Sequence, residues 1–521
     1  MQIQLSCDGV SETKSTSVSL DVYSMKFVNC RTIYPLRIIR PLNKYIFPVD
    51  NNLSELIDEI HENSLEISGF MGDNPKRSLA RCCLSHSSSY PCEYCFSKGD
   101  LHKVQPVYTN ELRELSDKIS SLQRSNTTEN IDFLLKMRSD LEKKNKKMSR
   151  TRTVWPASTR NGAKRTKEEI LLILESIDAD DTLSKDDRKG VVSKSPFMSI
   201  EYFDFINHIS VDYMHAICLG LVKKLIELCF SVGDIRPRIT KRKLSSPNQY
   251  NNQMTCVKVP REFSRRGRML DFSMLKAQEF RNIILFFFPL IISSLPSSCK
   301  EIQLWLLLSY SVRACILPVN EFAKVSKNTI KKSITTFYSL YEKLFGAVNC
   351  SYNTHVVCSH LLQMRYENDL TKTSCFPFEN FYSELRHSFI PGTQAPLKQI
   401  FIKSILKRTI SPHSCSTLIY LSNQDTALEC NSTVYSFDSI NKKYNIYQIF
   451  DIDDDVLSCH PIGIHDHIFK NETLDWGSVG VFRSGGISSE IRLIDKVNVH
   501  GKVIKINNLL ITCPINVLLE K

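Results

Sequence analysis

Three acids in the sequence stand where a carboxylate can be presented to a ligand. Asp8 precedes Gly9 at the end of an alternating run, and Asp73 follows Gly72 just after the β-type run Glu66–Met71. Glu379 lies in Phe376-Pro-Phe-Glu-Asn-Phe-Tyr-Ser-Glu-Leu-Arg-His, in the first turn of a helix whose apolar stripe is Phe378, Phe381, Tyr382 and Leu385. Hard cations choose oxygen ligands. Three carboxylates suffice for two Mg²⁺ ions about 3.5–4 Å apart, a spacing that holds both the attacking and leaving oxygens of a phosphodiester. Each acid also has a plainer reading. Asp8-Gly9 can be a turn, Asp73 the N-cap of a helix begun at Pro75, and Glu379 a complement to a helix dipole.

Four softer ligands form a second set. Pro91-Cys-Glu-Tyr-Cys places Cys92 and Cys95 in a CxxC step, the usual half of a tetrahedral zinc site. No second CxxC lies nearby; the candidate for the other half is His355 and His360 in Asn353-Thr-His-Val-Val-Cys-Ser-His. A five-residue gap does not keep both rings on one helix face, so a distorted turn is expected there, with Cys358 as a competing ligand. His355 comes 260 positions after Cys95, so only a long-range closure can join the two halves.

The elements that must position these residues divide the chain by character. Ile3, Leu5 and Cys7 alternate with polar neighbours, as in a half-buried strand. Val18–Tyr23, Tyr34–Ile39 and Glu66–Met71 read as further strands, and Leu53, Leu56, Ile57 and Ile60 recur at helical spacing. Residues 100–350 are mostly helical: a charged stretch at Glu111–Lys147, then more apolar ones at Tyr213–Phe230, Met274–Leu295, Glu301–Leu317 and Val325–Phe345. From residue 396 on, short β-branched runs separated by Gly, Asn and Asp predict a small β-rich module. These runs include Lys443–Phe450, Ser478–Phe482, Ile491–Val499 and Lys502–Ile511.

The net charge of +12 falls wholly before residue 396, because thirteen basic and thirteen acidic residues cancel after it. Ten Lys and Arg, with no acid, lie between Lys143 and Lys167, including Lys143, Lys144, Lys146, Lys147, Arg150 and Arg152. Smaller clusters sit at Arg236–Lys243 and at Arg261–Arg268, the latter with Arg265, Arg266 and Arg268. Such runs are solvated loops, import signals or phosphate-contacting strips. The most apolar window, Ile283–Leu295, is too short for a bilayer, which needs about 20 residues, and no secretory signal opens the sequence. An intracellular chain rich in cysteine, with eighteen, is expected to use them as buried thiols or metal ligands rather than disulfides.

Taken in order, these residues resemble the DDE transposases of the CACTA/Mirage/Chapaev superfamily, and more distantly the catalytic core of the V(D)J recombinase. The resemblance runs over nearly the whole chain. Its elements are Cys7-Asp8-Gly9, an Asp-x-Pro-x-Arg segment at Asp73–Arg77, the CxxC beginning 19 positions later, Asp212-Tyr-Met-His-Ala-Ile-Cys-Leu-Gly220, the His pair, and Phe-Pro-Phe-Glu ending 19 positions after His360.

The resemblance implies an α/β chain whose RNase H-like catalytic domain is split by a long, mostly α-helical insertion. Residues 1–99 would be its first part, 100–350 the insertion carrying the basic segment 143–167, 351–395 the return, and 396–521 the β-rich module. Asp8, Asp73 and Glu379 would hold two Mg²⁺ ions, for which Mn²⁺ can substitute. Cys92, Cys95, His355 and His360 would hold a structural Zn²⁺ that ties the insertion's ends together. The segment from Asp212 to His215 is read as the start of a packed helix, with DNA contact or metal-site support as the other readings. The implied reaction is cleavage and strand transfer at element ends by a nuclear homodimer on DNA, with no membrane and no small-molecule substrate. Only seven residues precede Asp8, so a truncated copy, or a core kept as a DNA-binding scaffold, is also expected.

Overall fold

The computed structural model describes residues 2–11, 19–27, 33–39, 51–86, 88–103, 109–124, 131–148, 151–180, 182–184, 186–230, 248–260, 263, 274–366, 369–387, 428, 431–453, 456–465, 474–495 and 498–514. It is a mixed α/β protein with a C-terminal β-barrel.

The N-terminal sheet comprises β1 (Gln2–Ser11), β2 (Ser19–Phe27), β3 (Ile33–Ile39) and β4 (Glu66–Met71), in the order β3-β2-β1-β4. The first three run antiparallel to their neighbours, whereas β4 lies parallel to β1. A parallel neighbour requires a crossover, and α1 (Asn51–Glu62) lies in that connection with Leu53, Leu56, Ile57 and Ile60 buried. Ile3, Leu5 and Cys7 are buried as their alternation predicts. Ser6, on the opposite face, is buried too. That strand is covered on both sides, because the Tyr382 hydroxyl sits on the Ser6 hydroxyl at 3.1 Å and on that of Ser24 at 2.7 Å. Beyond β4, a parallel bridge pairs Phe70 with Ile209.

After α2 (Asn74–Ala80) the chain reaches β5 (Asp100–Lys103), which pairs antiparallel with β6 (Thr151–Val154). Between them the expected charged helix is two helices packed on each other, α3 (Thr109–Arg124) and α4 (Ile131–Met148). A capping box of Thr166 and Glu169 opens α5 (Lys167–Ala179).

The helical body that follows is built from α6 (Lys223–Phe230), α7 (Asn248–Met254), α8 (Ala277–Asn282), α9 (Phe288–Ser293), α10 (Glu301–Ile316), α11 (Val319–Phe322) and α12 (Lys327–Phe345), then α13 (Tyr352–Arg365) and α14 (Phe376–His387). Two π-helical stretches, Met214–Val222 and Ile283–Phe287, lead directly into α6 and α9. A Cβ at Gly220 would come within 2.5 Å of the Asn353 amide, so the bare glycine lets the first π stretch close onto α13. Among the described residues no helix is long and apolar enough to cross a membrane.

The barrel consists of β7 (Thr433–Asp438), β8 (Lys443–Asp453), β9 (Val456–His465), β10 (Val481–Ile487), β11 (Arg492–Asp495), β12 (Gly501–Ile506) and β13 (Leu509–Pro514). Strands β7, β8, β9, β10, β13 and β12 form a closed ring, and β11 adds to β9. The single run Lys502–Ile511 is a hairpin, turned at Asn507-Asn508 with Asn507 at φ 52°. Two buried charges seat the barrel on the helices. Arg313 of α10 donates to the carbonyls of Val479 and Thr512, and Glu321 of α11 accepts from the hydroxyls of Tyr435 and Tyr444.

Candidate metal centre and carboxylate cluster

Cys92, Cys95, His355 and His360 converge. Their ligand atoms all lie within 4.8 Å of one another, and all four residues are buried. The Cys95 sulfur is 3.4 Å from His355 Nε2 and 3.3 Å from His360 Nε2. A tetrahedral zinc with Zn–S about 2.3 Å and Zn–N about 2.0–2.1 Å sets sulfur and nitrogen about 3.6 Å apart, so the donor set fits such an ion. The Cys95 thiol is held far below its usual range, chiefly by a hydrogen bond from Cys92 and then, against burial, by the two imidazoles. That direction favours the thiolate, the form that ligates metal.

The distorted turn expected between the histidines is absent. Both lie on the α-helix α13, where five residues turn the chain by about 140°. The far nitrogen of each ring spans that angle and meets the same sulfur. Cys358 is buried but does not belong to the four-residue cluster.

The knuckle is fastened to the Asp73 turn by charges that lie outside the ligand motif itself. Glu93, inside the CxxC, accepts from Arg77 Nε at 3.2 Å and Nη2 at 3.1 Å, and also from the Tyr352 hydroxyl at the start of α13. Arg77 Nη1 in turn donates to the Gly72 carbonyl at 2.6 Å. Burial pushes the Glu93 carboxyl up, but Arg77, Arg81 and Tyr352 outweigh it, so it stays ionised. An acid between two ligand cysteines and an arginine four residues after Asp73 were the available signals.

Arg165, counted in the basic segment as a candidate phosphate contact, belongs to this knuckle instead. It is 5% exposed, donates to the carbonyls of Cys95, Tyr90 and Lys189, and lies over the Phe96 ring. Loop carbonyls there needed a fixed donor, and the sequence pattern could not distinguish that use from a solvated one.

Asp73 caps α2, its Oδ1 accepting the Lys76 N–H at 3.0 Å, so the plainer reading of this residue holds whatever else it does. The parallel register ends with Ser6 opposite Met71, and Asp8 and Asp73 each follow two residues later. The strand end or turn expected at Asp8-Gly9 is absent, because β1 runs on to Ser11 paired with β2, whereas Asp73 has already left β4. The packing around Gly72 is tight: a Cβ there would lie 3.2 Å from the Cys7 carbonyl and 3.1 Å from Lys76 Cβ. Asp8 pairs with Val22 of β2. Glu379 is partly exposed in the first turn of α14, the helix that Tyr382 seats on β1 and β2.

The segment from Asp212 to His215 does begin a packed helix, the first π stretch, and it also faces Glu379. Asp212 is fully buried. Its Oδ1 accepts the Cys375 N–H at 2.8 Å, and its Oδ2 accepts His215 N–H at 2.9 Å and Nδ1 at 2.8 Å. His215 Nε2 is then 3.8 Å from Glu379 Oε1. Burial raises the Asp212 carboxyl, but these bonds more than reverse it; burial lowers the His215 imidazole, and Asp212 with Glu379 reverses that. Asp212, His215 and Cys375 form a second group of potential metal ligands.

Of the expected DNA contacts, Lys143, Lys144, Lys146 and Lys147 lie in the last turns of α4, and Arg152 lies in β6. Arg150, Arg265, Arg266 and Arg268 fall outside the described residues. Comparison with family models and with curated proteins finds no match to the chain.

Proposed function

We propose that this chain is a DDE-type DNA nuclease and strand-transfer enzyme built on an RNase H-like domain split by a helical insertion. One observation carries the reading. Asp8 lies in β1 two residues beyond its last parallel pair with β4, Asp73 follows the end of β4 by the same two residues, and the helix that bears Glu379, 306 residues after Asp73, is seated on that same sheet. The strand order β3-β2-β1-β4, with only β4 parallel to β1, and the further bridge at Ile209 support the RNase H-like assignment.

Asp8, Asp73 and Glu379 would hold two Mg²⁺ or Mn²⁺ ions, whose chemistry is to stabilise charge on the attacking and leaving oxygens of a phosphodiester. The chain's own part is to fix three carboxylates on rigid elements and to present basic residues to the DNA backbone. Lys143, Lys144, Lys146 and Lys147 on α4, with Arg150 and Arg152 after it, are proposed as phosphate contacts, so binding should weaken with salt. The Cys₂His₂ cluster would hold a structural Zn²⁺. All four positions are filled by protein, which argues against a zinc hydrolase, where one must stay open to water. Homodimer formation on paired DNA ends and action in the nucleus complete the proposal.

The test is nicking of supercoiled plasmid in Mg²⁺ or Mn²⁺ by the wild-type chain and by Asp73→Asn. Loss of nicking in the variant is expected. Equal nicking by both would refute the catalytic reading, and retained DNA binding without nicking in either would leave a non-catalytic scaffold.

A further inference from the structure

Resting on that reading, we propose that His215 is a nitrogen ligand of the cation held by Glu379, oriented by Asp212, and that this site therefore selects Mn²⁺ over Mg²⁺. Asp212, a fully buried carboxylate that takes the Cys375 N–H on one oxygen and the His215 N–H and Nδ1 on the other, has its accepting capacity directed inward. Its role is to fix an imidazole. With Nδ1 turned to Asp212, the ring nitrogen left to ligate a cation is Nε2, which faces Glu379 Oε1 at 3.8 Å.

That gap is too long for a hydrogen bond, which closes to about 2.7–3.2 Å. Two donors each about 2.1–2.2 Å from one cation lie about 3.0–3.9 Å apart, depending on the angle between them, so the spacing suits a shared ion. A ligating histidine whose other nitrogen is bonded to a carboxylate is the usual arrangement around transition metals. His215 is also the partly exposed member of the set, its side chain 28% exposed beside the 34% exposed Glu379, so the pair opens toward solvent while Asp212 stays behind it.

The chemical consequence is selectivity. Mg²⁺ keeps oxygen ligands and water in near-ideal octahedral geometry, whereas Mn²⁺ lies on the series for which nitrogen ligation adds affinity. One nitrogen among carboxylates should make this site favour Mn²⁺.

The experiment loads the zinc-replete full chain with Mn²⁺ alone and records pulsed electron paramagnetic resonance, in which a directly bound imidazole gives a ¹⁴N coupling. Wild type should show that coupling, and His215→Gln should lose it together with roughly tenfold or more of its Mn²⁺ affinity, leaving Mg²⁺ affinity nearly unchanged. Asp212→Asn should weaken Mn²⁺ by about 10–100-fold, as removal of an orienting partner does. Unchanged zinc content in each variant reports an intact fold.

Mn²⁺ bound in an Asp73-dependent way but without nitrogen coupling would overturn this inference and leave the nuclease reading standing. Coupling that His215→Gln abolishes, with binding indifferent to Asp73→Asn, would uphold the histidine ligand and sink the three-acid reading. No Mn²⁺ binding at all would overturn both.

Discussion

Glu93→Gln tests whether the knuckle and the Asp73 turn are one unit. The substitution keeps the shape and removes the charge. What remains is Arg77 and Arg81, 2% and 3% exposed, with their carboxylate gone. Breaking a buried pair from one side costs about 3–5 kcal/mol, because the surviving charge stays desolvated. Against a typical stability of about 5–15 kcal/mol that is a large fraction. The expected result in urea denaturation is a midpoint shift of that size, together with weaker zinc retention, since Tyr352 at the start of α13 loses its acceptor as well. Removing both partners, Glu93→Gln with Arg77→Met, leaves less charge stranded and should cost less than the sum of the singles by about 1–3 kcal/mol. A loss under about 1 kcal/mol for Glu93→Gln, the scale of an exposed ion pair, would refute the reasoning.

The remaining expectations are simpler. Elemental analysis should find one tight zinc per chain, lost entirely in either Cys92→Ser or His360→Ala; partial and independent losses would mean the two halves do not share an ion. Glu321 supplies a pH dependence. Burial, against bonds from Tyr444 and Tyr435, lifts its carboxyl from the usual 4.5 to about 7. The folded chain thus holds a proton that the unfolded chain releases from about pH 4.5 upward, so stability falls as pH rises to about 7 and stays reduced above it, by about 3 kcal/mol at full extent. Glu321→Gln should flatten that slope between pH 5 and 8 in thermal unfolding.

Periodicity carried far in the N-terminal sheet and in the helices. Glu66–Met71 is β4 to the residue, and Leu53, Leu56, Ile57 and Ile60 are the buried face of α1. It failed where tertiary cover changed the rule. Ser6 is buried because Tyr382, 376 positions later, lies on it. The charged stretch after residue 110 reads as one helix because α3 and α4 carry similar composition. The π segments are unreadable by a 3.6-residue template, since Ile283–Phe287 is buried all round and Met214–Val222 is buried at all but His215, Leu219 and Gly220. The Cys₂His₂ cluster was legible as two half-motifs, and only folding could join them. Arg165 shows the opposite error: ten basic residues in one run invite a single role, yet this one ties loop carbonyls beneath the knuckle.

The position of Glu93 links these observations. A zinc knuckle could be closed by any small residues between its cysteines; a buried acid there demands a cation and determines what the knuckle is next to. Arg77 answers it with one side of its guanidinium and holds the Gly72 carbonyl with another nitrogen, one residue from Asp73. Tyr352 answers it from the helix that carries His355 and His360. Closure of the Cys₂His₂ cluster across the helical body and placement of the Asp73 turn are therefore a single mechanical problem solved by one carboxylate. Loss of the metal should reach the Asp73 turn through Glu93 and Arg77 before the sheet itself unfolds. If zinc-stripped chain kept its Asp73-dependent Mn²⁺ affinity unchanged, the coupling argued here would be wrong even with every distance intact.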